Sequence, residues 1–344
     1  MASTIQLRRG TAAEWTSANP VLAIGELGLI TDLQSFKVGD GVTAWNSLSG
    51  PTQPTTTTYT DVSATSESTD MPIPDAGYLR LYAKTIAGRN LLRIVGPSGL
   101  DCALQPILAR NKIGMFTPPG NATTATITGA YTAPTIVGTA TARTIATANL
   151  FTRMRRLGVV SAAGAGSLAS ARVAVAQITV GGATAAGFFK IIRFGISDAS
   201  VVSGARMFIG ISATTAAPTN VEPSTLKNCI GVGIGAADTT LQLFYAGTTS
   251  QTPIDLGANF PANTTNTDVY ELALFSPPSS DSVWWQVKRL NTGNVASGSI
   301  SNGGGNALPS TTTLLTYLWA YRTNNAMTPA VGLDIMSDYI ETDY

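Results

Sequence analysis

Residues Ile5–Trp45 read IQLRRGTAAEWTSANPVLAIGELGLITDLQSFKVGDGVTAW. The segment opens on a short alternating run, Ile5-Gln6-Leu7-Arg8-Arg9, which Gly10 stops. A second run, Leu27-Gly28-Leu29-Ile30-Thr31, leads through Asp32-Leu33-Gln34-Ser35 into Phe36-Lys37-Val38. Apolar alternation on either side of a polar turn predicts a β-hairpin. Gly39-Asp40-Gly41 then turns the chain, since glycine reaches positive φ without steric cost, and Asp40 is read there as a turn residue before a ligand. Trp15, Phe36 and Trp45 are the apolar anchors expected to meet beneath these strands. A unit of fewer than about 50 residues, without a disulfide or metal-ligand set, rarely buries enough surface to fold alone. The expectation is that it takes its core from copies of itself in neighbouring chains.

Taken in order, Arg8-Arg9-Gly10-Thr11, Trp15, Asn19-Pro20, Gly25-Glu26-Leu27-Gly28, Thr31-Asp32, Lys37-Val38-Gly39-Asp40-Gly41 and Trp45 carry a family likeness. Together they resemble the N-terminal module of the phage major tropism determinant family. The resemblance implies a small β-prism-like unit that trimerises at the front of a phage fibre protein. Arg8, Arg9, Trp15, Phe36, Asp40 and Trp45 are the residues expected to serve trimerisation and anchorage. The sequence beyond this module shows no signature of that family's variable C-type lectin domain, so receptor binding by that device is not implied.

The whole chain has 344 residues, enough for two or three domains and a substantial core. Only 12% are charged, against about a quarter in an average domain. Low charge with many small and β-branched residues predicts an all-β protein rich in turns, part of whose surface is hidden in an oligomer. The net charge of +1 advertises no nucleic-acid partner. The strongest basic run, Arg153-Met154-Arg155-Arg156, reads as a solvated loop or an inter-subunit contact. Cys102 and Cys229 make neither a disulfide framework nor a zinc site and read as small buried hydrophobes in a reducing cytoplasm. No signal peptide and no membrane-spanning stretch is apparent, so no membrane insertion is expected. Histidine is absent, which removes Ser-His-Asp and Cys-His nucleophiles, histidine-ligated zinc and histidine general bases.

Four segments follow from composition. Residues 1–49 form the attachment and trimerisation module, and the Thr/Ser/Pro-rich residues 50–76 an extended linker. Residues 77–149 are read as a β-rich shoulder or connector. It starts with a hairpin of Tyr78–Lys84 and Leu91–Val95 about Ala87-Gly88-Arg89-Asn90. Its Ala/Thr/Gly-rich end, residues 117–149, reads either as interwoven strands of a trimer or as a linker, and the absence of apolar heptads argues against a coiled-coil shaft. Residues 150–344 are expected to form the tip. Their candidate strands are Arg172–Val180, Phe188–Phe194, Arg206–Ile211, Cys229–Ile234, Leu241–Tyr245, Val269–Phe275, Ser282–Leu290, Leu314–Tyr321 and Val331–Ile335. Short strands parted by Gly- and Pro-rich breakers predict a two-sheet β-sandwich of jelly-roll type, similar in architecture to concanavalin-like lectins.

Candidate chemistry is sparse. Gly231-Val232-Gly233-Ile234-Gly235 fails the dinucleotide spacing and reads as glycines in a packed strand. In Ser282-Val283-Trp284-Trp285-Gln286-Val287-Lys288, alternation sends Val283, Trp285 and Val287 to the core, and Trp284, Gln286 and Lys288 to the other face. An exposed indole beside an amide and an ammonium suits a sugar ring and its hydroxyls; the alternative is packing against a loop or a neighbouring subunit. Trp319 and Tyr321, placed on one face with Leu315 and Tyr317, read as core, trimer interface or a glycan cleft, and Phe244 and Tyr245 pose the same choice. Asp334, Asp338, Glu341 and Asp343 read as a solvated acidic end, or as calcium ligands if their oxygens converge. Asp198, Glu222, Asp238, Asp255, Asp268, Glu271 and Asp281 form no recognisable glycosidase pair, and no β-helix rungs recur.

These readings converge on a phage virion fibre protein: homotrimeric, assembled in the host cytoplasm, non-catalytic and without cofactor or metal. Its partners are other copies of itself, virion proteins and host surface polysaccharide. A capsid-mounted head fibre or decoration protein is the alternative, and a polysaccharide depolymerase a further one.

Overall fold

The computed structural model describes residues 8–50, 80–95, 101–103, 112–118, 120–182, 187–277, 280–302 and 305–342, with Pro72, Pro74, Asp75 and Tyr78. Its contacts divide the chain into two compact units, Met1–Ser63 and Ala64–Tyr344. The segment read as a linker, residues 50–76, lies outside the described residues except for Gly50, Pro72, Pro74 and Asp75.

In the first unit, Leu27–Ile30 and Ser35–Val38 form the expected antiparallel hairpin, and Arg8–Gly10 pairs in parallel with Leu27–Ile30. Between them runs a helix, Ala12–Ala18, that the strand-by-strand reading passes over. Thr11 and Glu14 make a reciprocal capping box at its start, and Asn19 closes it in the left-handed conformation. Trp15 and Trp45 stack with Leu22, Ile30 and Leu48 as the core. Phe36 departs from expectation: it does not join the two tryptophans and is 46% exposed. It lies opposite Leu29, and directly paired residues share a face, so Leu27, Leu29, Phe36 and Val38 line the outer side of the sheet. The inner side belongs to Ile30 and to Gly28, where a Cβ would sit 2.5 Å from the Trp45 ring.

The second unit is a sandwich of two antiparallel sheets. One runs in the order Thr139–Ala142, Leu157–Val160, Gly332–Thr342, Phe188–Ile196, Tyr270–Ser276, Ser282–Arg289, Val295–Ser301. Lys112–Thr117 pairs with the far half of Gly332–Thr342 and carries Thr126–Gly129 on its other side. The second sheet runs Ile254–Asp255, Gln242–Ala246, Cys229–Ile234, Arg206–Ser212, Leu315–Thr323, Leu168–Arg172, Thr135–Val137, with Ala176–Ile178 also on Leu315–Thr323. One continuous apolar cluster fills the space between the sheets, drawn from alternate residues of both. The all-β sandwich is therefore as the turn spacing indicates.

Several boundaries differ. The expected strand Arg172–Val180 is two strands, Leu168–Arg172 and Ala176–Ile178, which pair with the same neighbour, the second with a register irregularity between Ala176 and Ile178. Val331–Ile335 extends to Gly332–Thr342, a central strand of the first sheet. Leu157–Val160 and Val295–Ser301, absent from the expected set, are strands too. The 117–149 tract is neither linker nor separate connector: Thr126–Gly129 and Thr139–Ala142 belong to the first sheet and Thr135–Val137 to the second. Their polar, small residues suit edges, where only one neighbour buries them.

The hairpin of the expected shoulder exists, as Arg80–Ile86 and Arg89–Val95. Its turn is Ala87-Gly88, both at positive φ, shorter than the four residues the sequence indicates. Ile86, Ala87 and Leu91 pack on Phe189, Ala273, Phe275, Trp284 and Tyr339. The hairpin thus covers the outer face of the first sheet.

Candidate functional site

The strand Ser282–Arg289 alternates as its sequence requires: Val283, Trp285 and Val287 enter the main core, while Trp284, Gln286 and Lys288 are half-buried on the opposite face. The hairpin turn closes over Trp284, so that a Cβ on Gly88 would approach the indole to 2.8 Å. Phe275 flanks the ring at 6.3 Å between centroids. The Gln286 side-chain oxygen accepts a hydrogen bond from the Ala87 amide at 3.4 Å. On the other side lies the edge strand Val295–Ser301, which sets Ser299 opposite Trp284 and Ser297 opposite Gln286. Between hairpin and edge strand opens a cleft of about 320 Å³, lined by Trp284, Gln286, Thr85, Gly88, Ser297 and Ser299.

This cleft has one aromatic wall and a rim of hydroxyl and amide groups. That combination suits a sugar: an apolar plate for C–H groups of the ring and donors and acceptors for its hydroxyls. Lys288 stands one alternation further along the face, opposite Glu271. The Glu271 carboxylate itself pairs with Arg193 at 2.6 Å.

The other expected glycan residues are elsewhere. Trp319 and Tyr321 lie in the second sheet and are buried at 3% and 0% exposure, not offered to solvent. The Trp319 indole N–H donates to the Ala216 carbonyl at 3.0 Å, and the Tyr321 hydroxyl to Val221 at 2.9 Å. Burial pushes the Tyr321 phenol well above its usual range. Nor do they share a face with Leu315 and Tyr317, which enter the main core while Trp319 and Tyr321 pack with Phe208, Cys229 and Phe244. The register explains this: Gly210 pairs with Trp319 but Ser212 with Thr316, so an extra residue bulges and reverses the alternation. A second cleft, about 450 Å³, opens beside Trp319 with Thr214, Thr219, Thr225, Lys227 and Asn228 on its wall. The glycines of 231–235 lie partly in the strand Cys229–Ile234, where Gly231 and Gly233 leave room for the Phe208 and Phe244 rings. Burial raises the Cys229 thiol to about 12.

The acidic C-terminal end is a further correction, because it is not solvated. Asp334 and Asp338 are fully buried within the strand Gly332–Thr342 and Glu341 nearly so; Asp343 lies outside the described residues. Asp334 takes Arg143 and Arg156, each at 3.0 Å, and Asp338 takes Lys190. Glu341 takes Arg89 and the Tyr339 hydroxyl. Each carboxylate meets a cation or hydroxyl and no two converge, so among the described residues no acidic or thiol group is arranged to hold a metal. Arg156, read as part of a solvated basic run, is buried over the Phe151 ring at 4.7 Å, and burial lowers its affinity for the proton. Asp198 and Arg322, both fully buried, pair at 2.5 Å at one end of the sandwich.

The residues expected to anchor the first unit make separate sets of contacts. Arg8 pairs with Glu26 at 3.1 Å, and Arg9 is exposed. Asp40 accepts from the Val42 and Thr43 amides and the Thr43 hydroxyl, and these bonds hold its carboxyl down at about 2. It organises its own turn, as read. Lys37 reaches the Trp45 carbonyl at 2.8 Å and lies over its ring.

Sequence reading places Trp284, Gln286 and Lys288 on one face by alternation, the first two of them lining the cleft, but does not single out Thr85, Gly88, Ser297 and Ser299. Thr85 and Gly88 belong to a hairpin distant in sequence. The serines do carry a signal, the alternation Ser297-Gly298-Ser299-Ile300-Ser301, masked by residues that look like a loop.

No curated protein matches the chain. Among solved structures it is similar to peanut lectin, with 11% identity, 68% of this chain and 98% of that chain covered, and a TM-score of 0.45. It is also similar to lectin II from Ulex europaeus, at 13% identity, 61% and 93% coverage and a TM-score of 0.41. A protein of unknown function from Shewanella oneidensis aligns at 9% identity, over 69% and 89% of the chains, with a TM-score of 0.43. No helix among the described residues is long and apolar enough to cross a membrane. Residues 5–43 match the family model of the major tropism determinant N-terminal domain, so that stretch of the chain is similar to the N-terminal module of that family.

Proposed function

We propose that the chain is a non-catalytic phage virion fibre protein, a homotrimer that adheres to polysaccharide on the host surface. The match of residues 5–43 to the tropism-determinant module carries this reading. The module's own chemistry supports its association. Its core amounts to Trp15, Leu22, Ile30, Trp45 and Leu48, while the outer side of its sheet presents Leu27, Phe36 and Val38 to solvent. Apolar area of this kind at a sheet face is stabilised when it meets its counterpart, at roughly 25 cal/mol per Å² removed from water. Three front modules packed on these faces form a β-prism-like hub that attaches to other virion proteins.

Adhesion rests on the cleft of Trp284. One such cleft binds a sugar weakly, and three tied to one hub raise the effective concentration of the second and third contacts. Adhesion of this type needs no turnover.

Light scattering on the full chain tests the assembly. The expected result is a trimer mass, with Phe36→Glu giving monomers because a charge is placed in the apolar contact. A wild-type monomer at micromolar concentration overturns the reading. Trp284→Ala is expected to abolish binding to host cells while the trimer persists. Unchanged binding removes the cleft from the proposal, and release of reducing ends from host polysaccharide makes the protein an enzyme instead.

A further inference from the structure

Lys190 and Asp338 lie on neighbouring antiparallel strands of the first sheet, Phe188–Ile196 and Gly332–Thr342. Ile192 stands opposite Asp338 and Lys190 opposite Ile340, so the lysine and the aspartate are diagonal neighbours on one face. Ile192 and Ile340 belong to the main core, which puts that face between the sheets. Both charged side chains are fully buried there, and Lys190 Nζ is in contact with Asp338 Oδ1. The Tyr131 hydroxyl donates to Asp338 Oδ2 at 2.7 Å. Aromatic rings close the site: Tyr131 packs against Phe116 at 6.2 Å and Tyr317 at 5.5 Å.

An amine, a carboxyl group and a hydroxyl donor are thereby held together in a site lined by aromatic rings. Among the described residues, the fully buried carboxylates Asp198 and Asp334 meet arginines, whose guanidinium groups are poor nucleophiles; here the partner is a primary amine. We propose that Lys190 and Asp338 condense into an intramolecular amide bond, with Tyr131 stabilising the reacting carboxyl group.

The environment favours the reactants. Burial lowers the proton affinity of the Lys190 amine and raises that of the Asp338 carboxyl, in each case outweighing the attraction of the other. The neutral amine attacks Asp338 Cγ, forming the N–C bond, while the developing charge on Oδ2 is held by the Tyr131 O–H. Burial pushes the Tyr131 phenol far up, so it stays a donor. A proton passes from the new ammonium to Oδ1, the Cγ–Oδ1 bond breaks and water leaves. The Oδ2 carbonyl then re-forms, and nothing is oxidised or reduced. Fixed proximity supplies the drive that an amine and an acid lack in water, where effective molarities of about 10⁵–10⁸ M mark well-oriented pairs. The product ties a central strand of the sheet to its neighbour across 148 residues of chain.

Intact-mass spectrometry of the denatured full chain reads the outcome directly. The wild type is expected to weigh less than its sequence by one water, and a digest to yield a branched peptide joining Lys190 to Asp338. Lys190→Gln is expected to show the full mass. Tyr131→Phe keeps the ring packing and is expected to accumulate unlinked chain. A wild type at the full sequence mass overturns the proposal. So does a water loss mapped to another position, such as a succinimide at Asp40-Gly41. Linkage in Tyr131→Phe as complete and as fast as in the wild type overturns the part given to Tyr131.

Discussion

Trp15 and Trp45 stack with ring centroids 4.1 Å apart and planes 15° from parallel, holding together the helix and the final turn of the front module. The Trp15 indole N–H donates to the Leu29 carbonyl at 2.9 Å, which fixes the stacked pair against the sheet. With so few other buried side chains, this pair supplies much of the module's apolar contact.

Trp45→Ala is therefore expected to destabilise the front module by roughly 3–5 kcal/mol, the usual cost of emptying a buried tryptophan site. Thermal unfolding followed by oligomer mass is the measurement. A variant as heat-resistant as the wild type counts against the stack as an anchor.

Asp40 gives the same module a pH dependence of definite sign. Its carboxyl is depressed to about 2 from an ordinary 3.8 by hydrogen bonds to Thr43 and Val42. The contribution is thus fully present above the ordinary value and is lost as the pH falls through about 2. Wild type and Asp40→Ala are expected to differ in stability at neutral pH and to converge in acid. A difference that is constant with pH sinks this assignment.

Gly88 is the turn residue that lets the hairpin approach Trp284. Its φ of +72° and the 2.8 Å approach both oppose a side chain. Gly88→Ala is expected to cost about 1 kcal/mol or more, because alanine is strained at positive φ. Hydrogen exchange is the readout: the amides of Arg80–Ile86 and Arg89–Val95 should exchange faster, with those of Cys229–Ile234 unchanged. Uniform change in both places, or in neither, counts against the hairpin as a separable cover of the cleft.

Asp334 faces two arginines in the buried part of the first sheet. Asp334→Asn leaves Arg143 and Arg156 facing each other without a carboxylate, a loss of about 3–5 kcal/mol for a broken buried pair. Chemical denaturation reads it as a lower midpoint at unchanged slope. An unaltered midpoint shows that the arginines find water instead.

Much of the fold is legible in the order of residues. Period-2 alternation sends Val283, Trp285 and Val287 one way and Trp284, Gln286 and Lys288 the other, and the sandwich keeps that division. The glycine-bearing turn between Arg80–Ile86 and Arg89–Val95 announces a hairpin. Alternation fails at Trp319 and Tyr321, because a one-residue bulge opposite Gly210 and Ser212 is a property of pairing and not of either strand by itself.

Local chemistry therefore determined the all-β class, the turn at Asp40, the front module and the faces of the regular strands. Only the tertiary structure decided that Asp334, Asp338 and Glu341 are interior, since their cations arrive from Arg143, Arg156, Lys190 and Arg89, far away along the chain. A carboxylate next to nothing basic in sequence looks solvated. It becomes a core residue when long-range strand pairing delivers the opposite charge and hydrogen bonds to offset its loss of water. The cleft of Trp284 has the same origin: its indole is written in one strand, and its hydroxyl rim comes from two others that the pairing of the sheet and the packing of the hairpin bring alongside.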